Sequence, residues 1–245
     1  MSALIPQLRA MAGRCIRAMP PRLQCVLVAA RAVGHVRRGP KSFVHRSVQV
    51  LGKRAVSIGA NTVLSQDCWL NVNHRNVGQI SIRIGDNCFI GRRNFFSSGR
   101  AIELADFVLT ANDCHFLGST HVADDPMVPI ISTGTTSTDV IRIGANTFVG
   151  AGARIVGNVS VGHGCIVGAG SIVTKDVPPF SQVAGSPAIV RKRFSVARAA
   201  WVPVDAFTAE DERALPAEAD YLVRLSRHAA IAMPYIAAGS DLGDC

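Results

Sequence analysis

Acidic side chains are missing from the first 66 residues of this 245-residue chain. There Arg9, Arg14, Arg17, Arg22, Arg31, Arg37, Arg38, Lys41, Arg46, Lys53 and Arg54 stand without a counter-charge until Asp67. The net charge of +9 is thus weighted to one end, which suits an anionic membrane surface, touched through residues 1–54, or an acidic carrier lipid. Aromatics are scarce at 6% and are not interleaved with the basic residues, so nucleic acid is not an expected partner. The seven cysteines show no CxxC spacing, which argues against a zinc site or a disulfide framework. Cys88, Cys114 and Cys165 read as small buried thiols in a reducing cytoplasm. No apolar run reaches the ~20 uncharged residues of a membrane span, and arginines interrupt the N-terminal runs, which argues against a signal peptide.

What the chain has is a repeat of six. Counting from Ile143, the first residue of each six is Ile143, Val149, Ile155, Val161, Val167 and Val173. The second is Gly144, Gly150, Val156, Gly162, Gly168 and Thr174, and the fifth is small or medium throughout. This period is neither that of a helix nor that of a flat strand; it is a coil repeat, in which three short strands close a triangular turn. The first residue points to the axis and stacks into a continuous core, while glycine follows where corners bring backbones together.

In chain order, residues 1–45 read as a basic helical segment, with an apolar stripe of Leu4, Leu8, Met11, Cys15 and Ile16, broken at Pro20-Pro21. Residues 46–194 form the repeat domain. Asn73 to Asn76 is a polar interruption, and between 118 and 140 the repeat stops in a loop holding Thr120, His121, Asp124, Asp125, Pro126 and Pro129. Insertions in a repeat stack emerge as loops and carry function. Pro178-Pro179 is expected to end the stack. His163, on a repeat corner, is expected to face solvent. Residues 195–245 read as a tail with a helix near 211–229, presenting Leu222 and Leu225 on one side.

These residues resemble the hexapeptide-repeat acyltransferases, a family of left-handed parallel β-helices. The resemblance covers about 56–193 and is most specific from Val161 through Gly168-Ala169-Gly170 to Val173-Thr174-Lys175-Asp176-Val177-Pro178-Pro179, then Ala184-Gly185-Ser186-Pro187-Ala188. It implies a mainly β fold, left-handed coils, a homotrimer with sites between subunits, and acetyl-CoA as cosubstrate. Within the family the chain is most like the sugar and polysaccharide O-acetyltransferases. Their catalytic histidine stands about three sixes after an Ile-Gly-Asp start and shortly before Asp-Pro. Here Leu104-Ala105-Asp106 precedes and Asp125-Pro126 follows, which selects His121 as general base. Neutral imidazole suits that task because it titrates near neutrality.

The resemblance carries further positions. Gly150, Ala151, Gly152, Ala169, Thr174 and Lys175 match the coenzyme groove, and Arg191, Lys192 and Arg193 are placed to pair with nucleotide phosphates. Asn94 matches an asparagine that supplies an oxyanion or acceptor contact in related enzymes. His115 reads as a coil residue or an acceptor contact, and Asp124 and Asp125 are candidates to bind substrate or orient His121. The implied function is O-acetylation of a sugar hydroxyl in a surface polysaccharide, lipopolysaccharide or precursor, by a cytoplasmic enzyme at or near the inner face of the membrane. Sugar N-acetylation shares the site, and a non-catalytic β-helix scaffold is the reading outside enzymology. The serine acetyltransferases differ in having a longer helical domain and a long glycine-rich loop. No metal is expected: the γ-type carbonic anhydrases pair two histidines as HxxxxH, and here Gly168 stands five after His163.

Overall fold

A stack of triangular coils must return the backbone to register after every turn, and the spacing of six does this with a short strand and a corner on each side. The structure, a computed structural model, describes residues 36–75 and 79–228. Its first coil holds β1 (Arg37–Arg38), β2 (Phe43–Val44) and β3 (Gln49–Leu51). The second holds β4 (Val56–Ile58), β5 (Val63–Leu64) and β6 (Trp69–Val72). The third holds β7 (Ile82–Ile84), β8 (Phe89–Ile90) and β9 (Phe95–Ser98), and the fourth β10 (Ala101–Leu104), β11 (Leu109–Thr110) and β12 (His115–Leu117). The fifth holds β13 (Val140–Ile143), β14 (Phe148–Val149) and β15 (Arg154–Val156), and the sixth β16 (Val159–Val161), β17 (Ile166–Val167) and β18 (Ile172–Val173).

Equivalent strands pair in parallel into three sheets: A from β1 to β16, B from β2 to β17, and C from β3 to β18. The architecture is a parallel β-helix. Ile143, Val149, Ile155, Val161, Val167 and Val173 are all buried, as the hexads predict, and so are the fifth-position residues Thr147, Ala153, Val159, Cys165, Ser171 and Val177. Two inward residues in every six fill a narrow core. Its widest layer stacks Phe96 on Phe116, with centroids 4.7 Å apart. At Gly144 a Cβ would lie 2.4 Å from the His163 amide nitrogen of the next coil, so the second position is glycine where coils touch.

The corners divide into two kinds. Within the six coils, all corners from sheet A to B and from B to C have four residues. Length varies only from C to A, where the connections are 52–55, 73–81, 99–100, 118–139 and 157–158. Both irregular stretches noted in the sequence therefore emerge from one edge.

The structure corrects several expectations. Strands begin at Arg37, ahead of the expected boundary at 46, while the rest of the predicted helical segment lies outside the described residues. The prolines do not end the stack: Val177 still bridges to Val161, and β19 (Ser181–Gly185) adds a strand to sheet B beyond β17. The stack closes instead with antiparallel β20 (Ala188–Ser195) and β21 (Ala200–Pro203), where the sequence suggests a basic run and a tail. The predicted helix is split into α1 (Ala209–Arg213) and α2 (Glu218–Ser226). Helix α2 lies along the A–B corners. Asp86 and Asp106 cap the preceding coil's corner amides, Ala60 and Asp86, at 2.7 and 2.8 Å. Glu218 does the same for Ala145 at 2.7 Å. His163 is consequently buried rather than solvated: its Nε2 donates to the Pro216 carbonyl at 3.0 Å, and its ring meets Phe180 and Tyr221. Among the described residues no helix is long and apolar enough to cross a membrane.

Cys68, Cys88, Cys114 and Cys165 lie buried in the corners. Burial pushes the thiols of Cys68 and Cys88 up to about 12, and those of Cys114 and Cys165 up to about 11. Thiolate, the reactive form, is then roughly a thousandth or less of each at pH 8. Iodoacetamide at pH 8 should leave these four unmodified in the native protein and alkylate them in denaturant. Peptide mapping by mass spectrometry reads the outcome, and native labelling of any one would contradict its placement.

Candidate active site

The insertion 118–139 is an ordered hairpin. Its stem is closed by Thr136 N donating to Thr120 O at 2.7 Å and Val122 N donating to Gly134 O at 3.2 Å, with His121 bridged to Thr135 between them. Ser119 Oγ donates to Thr136 O at 2.8 Å, and Thr133 Oγ1 donates to Val122 O. Ser and Thr side chains thus stitch the stem. Backbone pairing fixes His121, whose imidazole is exposed and has no hydrogen-bond partner among the described residues. Asp124 and Asp125 lie at the tip, exposed. Asp125 Oδ1 accepts from Met127 N at 2.9 Å, and neither carboxylate bonds His121.

A residue that sequence reasoning missed supports the stem. His74, in the shorter insertion two coils earlier, places Nε2 at 3.0 Å from Thr136 O and 3.2 Å from Thr135 Oγ1. A carbonyl only accepts, so Nε2 carries the proton. The two insertions therefore meet, and the strand opposite His121 is held from behind. The only sequence signal was that both interrupt the repeat at the same corner.

The coenzyme candidates fall on two edges. Gly150, Ala151 and Gly152 form the B–C corner of the fifth coil, and Ala169 sits on the equivalent corner of the sixth. Arg92 N, on a lower B–C corner, is capped by Asn112 Oδ1 at 3.0 Å. Alanine has no such acceptor, and the exposed Ala151 and Ala169 have amides without one among the described residues. Gly150 is tight, since a Cβ would meet Ala169 N at 2.6 Å, whereas Gly152 at φ +69° opens outward. Thr174 and Lys175 are exposed on the C–A edge, as is the His121 hairpin. Sheet C separates the two groups.

Two predicted contacts are altered by packing. Asn94 is 1% exposed; its Nδ2 donates to Gly91 O at 2.7 Å and Ala111 O at 2.9 Å, and its Oδ1 accepts from Cys114 N at 2.9 Å. It staples two coils and presents no group to a ligand. Arg193 is buried, ion-paired with Glu212, bonded to Pro179 O at 2.8 Å and set over the Phe207 ring. It anchors the C-terminal segment and is not available to a phosphate. Arg191 and Lys192 do remain exposed, because β20 bulges at Arg191, opposite Gln182 and Val183 of the partner strand, and the alternation breaks. His115 stands half-buried on the outer face of sheet C, edge-on to Phe95 at 6.0 Å. Burial, and then the charge of Arg154, lowers its pKa, which favours the neutral ring. Among the described residues no group of three or more His, Cys, Asp or Glu side chains is placed to hold a metal ion.

Comparison with known proteins agrees with this architecture. The family described as "Bacterial transferase hexapeptide (six repeats)" matches residues 141–175, and "Hexapeptide repeat of succinyl-transferase" matches 81–93. A Mycobacterium tuberculosis protein named "Probable acetyltransferase" is 31% identical over 156 residues, 61% of this chain and 51% of its own length. These matches support a place among the hexapeptide-repeat acyltransferases for the repeat region. A serine acetyltransferase of Buchnera aphidicola is 35% identical over 113 residues, 46% of this chain and 41% of its own. The chain spans about half the length of the curated relatives it matches. A crystal structure of AntD, an N-acyltransferase from Bacillus cereus, superposes with a TM-score of 0.57 at 19% identity, covering 67% of this chain and 86% of that one. That structure was solved with dTDP and 3-hydroxybutyryl-CoA. At such identity it speaks for the fold of this hexapeptide-repeat protein.

If His74 restrains the hairpin, His74→Ala should speed amide exchange at Val122 and Thr136 about tenfold, as local opening becomes easier. His74→Gln retains a side-chain N–H and should restore protection. Exchange that is unchanged in His74→Ala would show that the stem stands without it.

Proposed function

We propose that this chain is an acetyl-CoA-dependent O-acetyltransferase acting on a sugar hydroxyl of a surface polysaccharide, lipopolysaccharide or precursor. The reading is carried by His121: an exposed imidazole whose ring nitrogens have no partner among the described residues, held by backbone pairing on the edge where the β-helix is interrupted. Thr174 and Lys175 lie on the same edge toward the C-terminal end, and Ala151 and Ala169, whose amides have no partner among the described residues, lie across sheet C, which supports backbone recognition of the pantetheine arm. Exposed Arg191 and Lys192 are the cations left to face the nucleotide phosphates.

In this mechanism His121 accepts the proton of the acceptor hydroxyl as its oxygen attacks the thioester carbonyl. The C–O bond forms, and the carbonyl pair becomes an oxyanion, which N–H donors stabilise. Collapse breaks the C–S bond, and the leaving sulfur takes the proton back from the imidazolium. The step balances without an acyl-enzyme.

Assembly completes the site. The hairpin tip leaves Met127 88% and Ile131 86% exposed. The outer column of sheet B runs Phe43, Val63, Phe89, Leu109, Phe148 and Ile166 in register. Val63 is covered, but the exposed Phe43, Leu109 and Phe148 of this column, with the hairpin tip, support further copies of the chain as partners. We take the assembly to be the family's homotrimer of left-handed coils, with the coenzyme between neighbouring subunits. Arg37, Arg38, Lys41 and Arg46 then mark the end that would touch an anionic membrane from the cytoplasm. The buried free thiols accord with that compartment.

Thiol release from acetyl-CoA, measured with sugars, nucleotide sugars, amino sugars, polysaccharide and L-serine, tests the reading. His121→Ala should lower kcat at least ~100-fold with little change in coenzyme affinity. Near-normal turnover in that variant would remove His121 as base. Turnover with amino sugars alone would move the assignment to N-acetylation. No turnover, with no rise in Tm on adding acetyl-CoA, would leave a scaffold.

A further inference from the structure

The C–A edge below the hairpin carries cations at successive corners. Arg54 lies in the connection 52–55, Arg75 beside His74 in 73–81, and Arg100 in 99–100, all three exposed. None of the three makes an ion pair among the described residues. No carboxylate lies in these described corner residues, and the nearest acid on the outer face of sheet A, Glu103, is paired with Arg142 at 3.3 Å. Parallel stacking sets successive coils about 4.8 Å apart, so the three guanidinium groups follow one another up a single edge. At its upper end is a cavity of about 290 Å³ lined by His74, Gln79, Ser81, Gly99, Arg100 and Ser137. Asp139, next to it, turns its backbone carbonyl to the Arg100 and Ala101 amides, while its carboxylate takes the Thr138 hydroxyl. The cavity's lining is therefore cationic and hydroxylic, and His74 joins it to the stem that holds His121.

We propose that this edge binds an anionic acceptor: a sugar carrying phosphate, diphosphate or carboxylate groups, laid along Arg54, Arg75 and Arg100 with its reacting hydroxyl toward His121. This rests on the acyltransferase reading and specifies its acceptor. Coenzyme A is also an anion, but its candidate residues lie on the opposite, C-terminal side of the hairpin. The two charged reactants thus approach His121 from opposite ends of the stack. Guanidinium groups suit the task because they form paired hydrogen bonds to phosphate and carboxylate oxygens and stay charged.

Calorimetric titration of the full chain with maltose, UDP-glucose and oligogalacturonate, without acetyl-CoA, tests the edge directly. At least one anionic probe should bind about tenfold or more tightly than maltose, and less so at high salt. Arg75→Gln with Arg100→Gln should abolish that preference while the acetyl-CoA Kd and the Tm stay unchanged. Equal binding of maltose and the anions would overturn the proposal. So would a variant that loses acetyl-CoA affinity to the same degree, because the edge would then serve the coenzyme. Binding to phosphatidylglycerol vesicles that the variant loses, with no change toward the sugar probes, would make the edge a lipid surface instead. Thiol release run in parallel separates the two readings. Anion preference without turnover on any acceptor sinks the acyltransferase reading and leaves the edge, whereas turnover without anion preference sinks the edge alone.

Discussion

Each coil must hand every backbone N–H and C=O of its strands to the coils above and below. That demand leaves little freedom anywhere else. Corner amides such as Ala60 and Asp86 find side-chain acceptors one coil on, and a corner glycine such as Gly144 lets the backbones close to contact distance. An extra residue on the A–B or B–C corners would turn the following strand's inward side chain outward. Insertions are thereby confined to the C–A edge, where the chain can leave the stack and return. The two inserted loops are where they are because that edge tolerates them.

The same demand explains how the ends are finished. A growing β-helix has an open edge, which must be paired or covered. Here β19 extends sheet B, β20 and β21 turn antiparallel across it, and Arg193 fixes the segment to Glu212, Pro179 and Phe207. Helix α2 then runs back along the A–B corners, its Glu218 standing in for the aspartates that cap lower corners and its Tyr221 meeting Asn146. With β20, β21 and α2 closing that end and one side, the C–A edge and the outer faces of sheets B and C remain for chemistry and assembly.

What could be read from the sequence follows from range. The hexads are local: an aliphatic every six residues reports the pleat and the four-residue corner directly, so Ile143 to Val173 announce both fold and core. The loop around His121 was legible because the repeat stops there. The rest depends on partners far along the chain. His74 meets Thr136 sixty-two positions on, and His163 is buried by Pro216, fifty-three on. Arg193 resembled its neighbours Arg191 and Lys192 until a bulge in the pairing of β20 set it inward and them outward. Asn94 illustrates the opposite error: a residue matched by family position proved to have its amide consumed by Gly91, Ala111 and Cys114.

The division of labour between the two edges bears on the proposed trimer. Sheet C holds Ala151 and Ala169 at one margin and Thr174, Lys175 and His121 at the other, with the Trp69, Phe95 and His115 rings across its lower half. A ligand long enough to touch both margins would have to cross this open face in water. In the proposed trimer a groove would form where the margin of one copy approaches the margin of another, and the exposed Met127 and Ile131 at the hairpin tip are apolar groups that would gain by reaching such a neighbour. The hairpin that positions the proposed base would then also hold the assembly together, so that the base is delivered only where a second subunit supplies the rest of the coenzyme groove.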